Sequence, residues 1–159
     1  MEQDHRTTFL VLEDDANDAL LIRRAFTNAA CHAFVCRNTS EARAYLVGAG
    51  MYGERSRFPF PDIFMTDLRL GDESGLQFLE WLRSKDELRH LPVIVLSGSA
   101  TAKDIATAKS LGVLRVWQKP GDPFVLQQMI QKVADEFCAN NGHSFAHRQM
   151  EEQQATRAR

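Results

Sequence analysis

Short apolar runs alternate with longer amphipathic stretches along the whole chain. Phe9 to Leu12 is an apolar run that ends on Glu13, Asp14 and Asp15. The next stretch places Leu21, Ile22, Ala25 and Phe26 on one face of a helix. His32 to Cys36 predicts a second strand, and Asn38 followed by Glu41 has the spacing of a helix start that carries through about Val47. Ile63 to Met65 predicts a third strand, running through Thr66 into Asp67, and Ser74 to Ser84 predicts a helix with Leu76, Leu79 and Leu82 turned inward. Val93 to Leu96 is uninterrupted apolar sequence ending at Ser97, the pattern of a strand covered on both faces. Thr101 and Asp104 open a helix that fades near Gly112. Arg115 to Gln118 is the last strand, ending at Lys119 and Pro120. Asp122 as N-cap and Pro123 at the first helical position start a final helix with Leu126, Met129, Ile130, Val133 and Phe137 on one side.

Five strand-helix units imply a parallel sheet with helices on both faces, because parallel strands need crossover connections. The expected fold is α/β, a flavodoxin-like (βα)5 doubly wound sheet with strand order 2-1-3-4-5. In open sheets of this kind ligands bind beyond the carboxyl ends of the strands. With that order, Glu13, Asp14, Asp67, Ser97 and Lys119 converge on one crevice. The segment VGAGMYGERSRFPFP between the second helix and the third strand is rich in Gly, Pro and charge and is expected to be an extended surface loop.

A length of 159 residues suits one domain, expected over residues 1–138 with a polar tail at 139–159 that is either disordered or a helical extension. The tail is too polar for an output domain. A formal charge of -2 supplies no field for nucleic acid or an anionic membrane. No apolar run approaches a membrane span and the N-terminus does not read as a signal peptide, so the expected location is the cytoplasm. Cys31, Cys36 and Cys138 are odd in number and lack CxxC spacing; they read as reduced structural thiols. His32 and His90 have no partner spacing and read as structural or exposed.

Three carboxylates gathered in one crevice repel one another unless a cation joins them, and hard oxygen donors without Cys or His favour Mg²⁺. A lysine and a hydroxyl across the same crevice suit a phosphoryl group. The implied chemistry is phosphoryl transfer onto Asp67. Taken singly, each acid could be only a turn former or helix cap, Ser97 a strand terminator and Lys119 a solvated cation. Asp15 is left as solvated surface.

The motifs VLEDD (Val11 to Asp15), FMTDLRL (Phe64 to Leu70), VIVLSGSA (Val93 to Ala100) and WQKP (Trp117 to Pro120), in this order and each at a strand end, resemble the receiver domain of two-component response regulators. The loop GAGMYGERSRFPFPD further resembles the stand-alone receivers that serve phytochrome-type histidine kinases. The resemblance implies Asp67 as phosphoacceptor, with Glu13, Asp14, Asp67 and the backbone carbonyl of Arg69 as Mg²⁺ ligands. Ser97 would hydrogen-bond the phosphoryl group and Lys119 would pair with it, ahead of a cis bond to Pro120. It implies a phosphoacceptor signalling protein, not an enzyme acting on other molecules, that catalyses its own phosphorylation and slow autodephosphorylation. A sensor histidine kinase is the implied partner, with a homodimer or a docked protein as output. Two alternatives stand beside it. A pseudo-receiver would keep the fold as an interaction module without phosphorylation. A phosphatase resembling the haloacid dehalogenases would need an Asp two residues after the nucleophile, where this chain has Arg69. The chain also departs from the family, which commonly places an aromatic three residues before the lysine. Here that position is Val116, while the aromatic is Trp117, on the other face of the strand.

Overall fold

The computed structural model describes residues 6–27, 29–139, 151 and 154–158. Five parallel strands, β1 (Thr8–Leu12), β2 (His32–Cys36), β3 (Ile63–Thr66), β4 (Val93–Ser97) and β5 (Arg115–Gln118), lie in the order β2-β1-β3-β4-β5. The crossovers are α1 (Ala16–Thr27), α2 (Thr39–Val47), α3 (Gly75–Ser84) and α4 (Ala102–Ser110), with α5 (Pro123–Ala139) closing the chain. This is the doubly wound, flavodoxin-like architecture that the strand-helix alternation predicts.

The period-two pleat divides the core into two layers. Phe9, Val11, Ile63, Met65, Ile94 and Leu96 face α1 and α5. Leu10, Leu12, Phe64, Val93 and Val95 face the other way, against Ala42 and Leu46 of α2, Phe78, Leu79 and Leu82 of α3, and Ala108 of α4. The three central strands are buried at every residue, which is why their sequences run apolar without alternation. The edge strands β2 and β5 are only half-covered.

Local capping sets where the helices begin. Asn38 Oδ1 accepts from the Glu41 N–H at 2.8 Å, Ser74 caps α3 through the Leu76 N–H, and Thr101 with Asp104 forms a reciprocal capping box. Asp122 accepts from the Phe124 N–H at the start of α5. Asp15 has a structural job: its Oδ1 accepts from the Asp18 N–H at 2.9 Å and opens α1. Of the predicted α3 stripe, Leu79 and Leu82 are fully buried and Leu76 only half so.

Three expectations need correction. The segment after α2 is not extended: Gly50–Gly53 forms a 3-10 turn, and the loop folds back onto the sheet edge. Tyr52 and Phe58 stack around Tyr45 at centroid distances of 5.1 and 6.1 Å, and Phe58 reaches Phe34. Arg55 donates to the carbonyls of Tyr45, Leu46 and Phe58, adding to the left-handed Gly48 cap and tying the loop to the end of α2. Second, Cys31 and Cys138 are not reduced thiols but a disulfide across 107 residues, with Cα atoms 5.9 Å apart. The packing of α5 along α1 brings the end of the chain's last described long helix to the entrance of β2, an approach no cysteine spacing discloses. Cys36 is the free, buried one. Third, the Lys119–Pro120 bond is trans, the form that even X–Pro bonds favour by default.

Most of the tail at 139–159 lies outside the described residues; within it, 154–157 are helical and Arg157 donates to the Lys109 carbonyl. No described helix is long and apolar enough to cross a membrane.

Candidate functional site

At the carboxyl edge of the sheet, β1 ends beside β3 on one side and β4 leads to β5 on the other. The strand order therefore brings Glu13, Asp67, Ser97 and Lys119 together, as the sequence predicts. The Lys119 N–H extends the β4–β5 ladder by donating to the Ser97 carbonyl at 2.9 Å, which aims the side chain across the crevice. Its Nζ donates to Glu13 Oε2 at 2.8 Å, to Asp67 Oδ2 at 2.9 Å and to Asp18 Oδ2 at 3.0 Å. The second Glu13 oxygen accepts from the Asp15 N–H, and the second Asp67 oxygen accepts from the Arg69 N–H at 3.0 Å. Glu13 is 3% exposed and Asp67 8%.

Burial is the largest influence on Glu13 and pushes its carboxyl up from the usual carboxylate range, against the pull of the Lys119 ammonium. Burial also works against the Lys119 charge, but the hydrogen bonds and charges of Glu13 and Asp67 outweigh it and hold the ammonium above its ordinary value.

Ser97 Oγ is buried and, among the described residues, has no hydrogen-bond partner. A buried hydroxyl left without a partner is rare, and this one sits on the strand end whose carbonyl accepts from the Lys119 N–H, so it can still take up an anion's oxygen. Asp14 stands at the rim, half-exposed, where its Oδ2 accepts from the Gly71 N–H at 2.9 Å. Arg69, whose carbonyl is an expected ligand, lies in the turn that follows, its side chain 3.5 Å from Asp104 of α4.

The turn after β3 is braced from α2. Asp72 accepts from the Thr39 N–H and hydroxyl, and those bonds hold its carboxyl below the usual range. Arg43 forks onto both oxygens of Glu73 and stacks over Trp81 at 4.4 Å. Gly75 lets α3 start directly against β3: a Cβ there would lie 2.5 Å from the Asp67 carbonyl oxygen.

Among the described residues, no three Asp, Glu, His or Cys side chains already form a metal-holding cluster. The donor set nonetheless fits Mg²⁺, a hard cation that takes one or two carboxylates and fills the rest of its shell with water and phosphate oxygens. Asp14 and Asp67 are the carboxylates that would hold it directly. Glu13, whose oxygens meet Lys119 and the Asp15 N–H, stands beside them as the third carboxylate of the expected set.

Two residues at the site go beyond the sequence reading. Asp18 lies in the first turn of α1, behind the Asp15 cap, and only the packing of α1 at the edge of the crevice brings it to Lys119. Arg37 follows β2, and its guanidinium reaches the carbonyls of Glu13 and Asp14. The parallel register setting Cys36 opposite Leu12 is what places it there, and pairing register is a tertiary fact.

The family model for the response regulator receiver domain matches residues 9–131. The polar-differentiation response regulator DivK of Brucella anthropi is 37% identical over 60 residues, covering 38% of this chain and 49% of that protein. The match thus spans about half the length of such curated relatives. Among solved structures, the phosphorylated cyanobacterial phytochrome response regulator RcpA superposes with a TM-score of 0.77 at 28% identity, covering 86% of this chain and 96% of that one. The response regulator RPA3017, in red light signalling of R. palustris, gives 0.70 at 29% identity over 80% and 90% of the two chains.

Proposed function

This chain belongs to the response regulator receiver domain family, and on that premise we propose that it accepts a phosphoryl group from a histidine kinase onto Asp67, with Mg²⁺, and signals through a phosphorylation-dependent protein interface. The observation that carries the reading is the convergence of Lys119 Nζ on Asp67 and Glu13, with the buried Ser97 hydroxyl, unpartnered among the described residues, at the end of the adjoining strand.

In the proposed reaction an Asp67 carboxylate oxygen attacks phosphorus. The P–O bond to Asp67 forms as the bond to the donor's leaving group breaks, and the leaving group carries away the bonding electron pair. Lys119 moves its contact from the carboxylate to a phosphoryl oxygen, and Ser97 donates its free hydroxyl to another. Glu13, Asp14 and Asp67, with the Arg69 carbonyl, would hold Mg²⁺, which when bound offsets charge on the transferring group. Glu13 and Asp18 keep Lys119 extended and charged while Asp67 is unmodified. The receiver would comprise residues 1–138, with 139–159 as an appended tail, working in the cytoplasm. The kinship with phytochrome response regulators supports a phytochrome-type histidine kinase as the donor's source.

Intact-mass measurement tests the reading. With Mg²⁺ and acetyl phosphate, the wild type should gain one acid-labile phosphoryl group and Asp67→Asn none. A wild type that stays unmodified with acetyl phosphate and with a phosphorylated histidine kinase is instead a pseudo-receiver.

A further inference from the structure

Arg37 is half-buried and spends its side chain on the backbone of a neighbouring turn. Nε donates to the Glu13 carbonyl at 3.1 Å and Nη2 to the Asp14 carbonyl at 2.7 Å. These two consecutive carbonyls belong to the acidic residues that open the crevice. Arg37 is itself anchored, because its N–H donates to Glu41 Oε2 at 2.9 Å. The other oxygen of Glu41 accepts from the Tyr52 hydroxyl at 3.1 Å, and the Glu41 N–H is capped by Asn38. A connected set of hydrogen bonds thus runs from the folded loop after α2, through the start of α2, to the turn carrying Asp14.

We propose that Arg37 is a positioning residue for the divalent cation: its fork onto the Glu13 and Asp14 carbonyls holds the β1–α1 turn so that the Asp14 carboxylate is presented to the metal. The inference rests on the Mg²⁺ site of the preceding reading. The fork supplies what a lysine lacks, two donors in fixed geometry that immobilise two adjacent peptide units at once. Outer-shell groups that orient a ligand typically change metal affinity by about 10–100-fold when removed.

Charge and geometry pull in opposite directions here, which makes the proposal sharp. Arg37 is a cation near a cation site. If it acted only through its field, removing it would leave the crevice one charge more negative and would tighten Mg²⁺ binding. If it acts by holding the turn, removing it loosens the ligand and weakens binding.

Calorimetric Mg²⁺ titration of the full chain, with Arg37→Met and Arg37→Lys variants, separates these outcomes. The expected result is a dissociation constant raised about tenfold in Arg37→Met. Arg37→Lys, which keeps the stem and charge but not the fork, should also bind more weakly than wild type. It carries the test if the Met variant does not fold, as thermal melting will show. In acetyl phosphate kinetics the half-saturating Mg²⁺ concentration should rise while the rate at saturating Mg²⁺ stays at the wild-type value. An unchanged or lower dissociation constant in both variants overturns the positioning role. A wild type that binds no Mg²⁺ overturns the site reading itself, and this inference with it.

Discussion

At the residue scale, neighbouring carboxylates on one turn have separate tasks because their oxygens meet different donors. Asp14 reaches across to the Gly71 N–H on the turn after β3, at the mouth of the crevice. Asp15 turns the other way and caps α1, and the Asp18 N–H holds its carboxyl below the usual range. Asp14→Asn should therefore weaken Mg²⁺ binding by more than the roughly tenfold expected on removing the outer-shell Arg37. Asp15→Asn keeps a good cap, since Asn and Asp serve about equally well there, and should leave Mg²⁺ affinity close to wild type. Parallel Mg²⁺ titrations of the two variants check this; equal losses would mean the direct ligand has been misassigned. The place of Asp14 at the rim of the crevice was legible from its strand-end position. The capping role of Asp15 was also written in the sequence, three residues ahead of Asp18, but a run of adjacent acids hides which one turns inward.

At the scale of elements, the site depends on how closely α3 begins against the end of β3. Gly75 makes that approach possible through space rather than unusual dihedral angles: an added Cβ would meet the Asp67 carbonyl oxygen at 2.5 Å and the Leu68 Cα at 2.6 Å, both backbone atoms that cannot swing aside. Gly75→Ala should thus cost about 1–3 kcal/mol, the usual toll of overpacking, despite alanine's better helix propensity. Urea denaturation would measure it, and an unchanged or raised midpoint would show that the helix start can retreat freely. The loop after α2 teaches the opposite lesson about legibility. Its Gly, Pro and charge suggest solvent, yet Tyr52 and Phe58 join Tyr45 and Phe34 at the edge of the sheet. Composition counts turn formers, whereas docking depends on whether the few aromatic residues find a partner surface.

For the whole molecule, the two faces of β5 separate what phosphorylation could move. Val116 packs into the layer with α3 and α4, while Trp117 packs with α1 and α5. Arg115 forks onto Glu136 of α5 at 2.9 and 2.6 Å and lies over the Trp117 ring at 5.4 Å, tying the edge strand to the last helix. Trp117, Val125, Met129 and Val133 line a groove on that side. A new charge gripped by Ser97 and Lys119 would bias the segment after β4 together with β5. Beryllofluoride with Mg²⁺, as an acyl-phosphate mimic, should therefore change Trp fluorescence and either association or partner binding, with the fluorescence change lost in Trp117→Phe. A mimic that binds and alters none of these would exclude the α4–β5–α5 face as the output surface without bearing on the proposed phosphorylation of Asp67.

Sequence alone determined the order of elements, the helix starts at Asn38, Thr101 and Asp122 and the residue types at the strand ends, because hydrophobic period and helix-start signals are local and the crossover rule turns alternation into one architecture. The convergence of Asp67, Ser97 and Lys119 followed from that architecture. Only the tertiary structure decided which distant groups meet across it. Cys31 found Cys138 because α5 lies along α1, Arg37 found the Glu13 and Asp14 carbonyls because β2 pairs with β1 in one register, and Asp18 joined Lys119 because α1 presents its first turn to the crevice. Each of these contacts depends on the packing and registry of elements far apart in the chain, and residue spacing along one segment carries no record of what another segment will bring beside it.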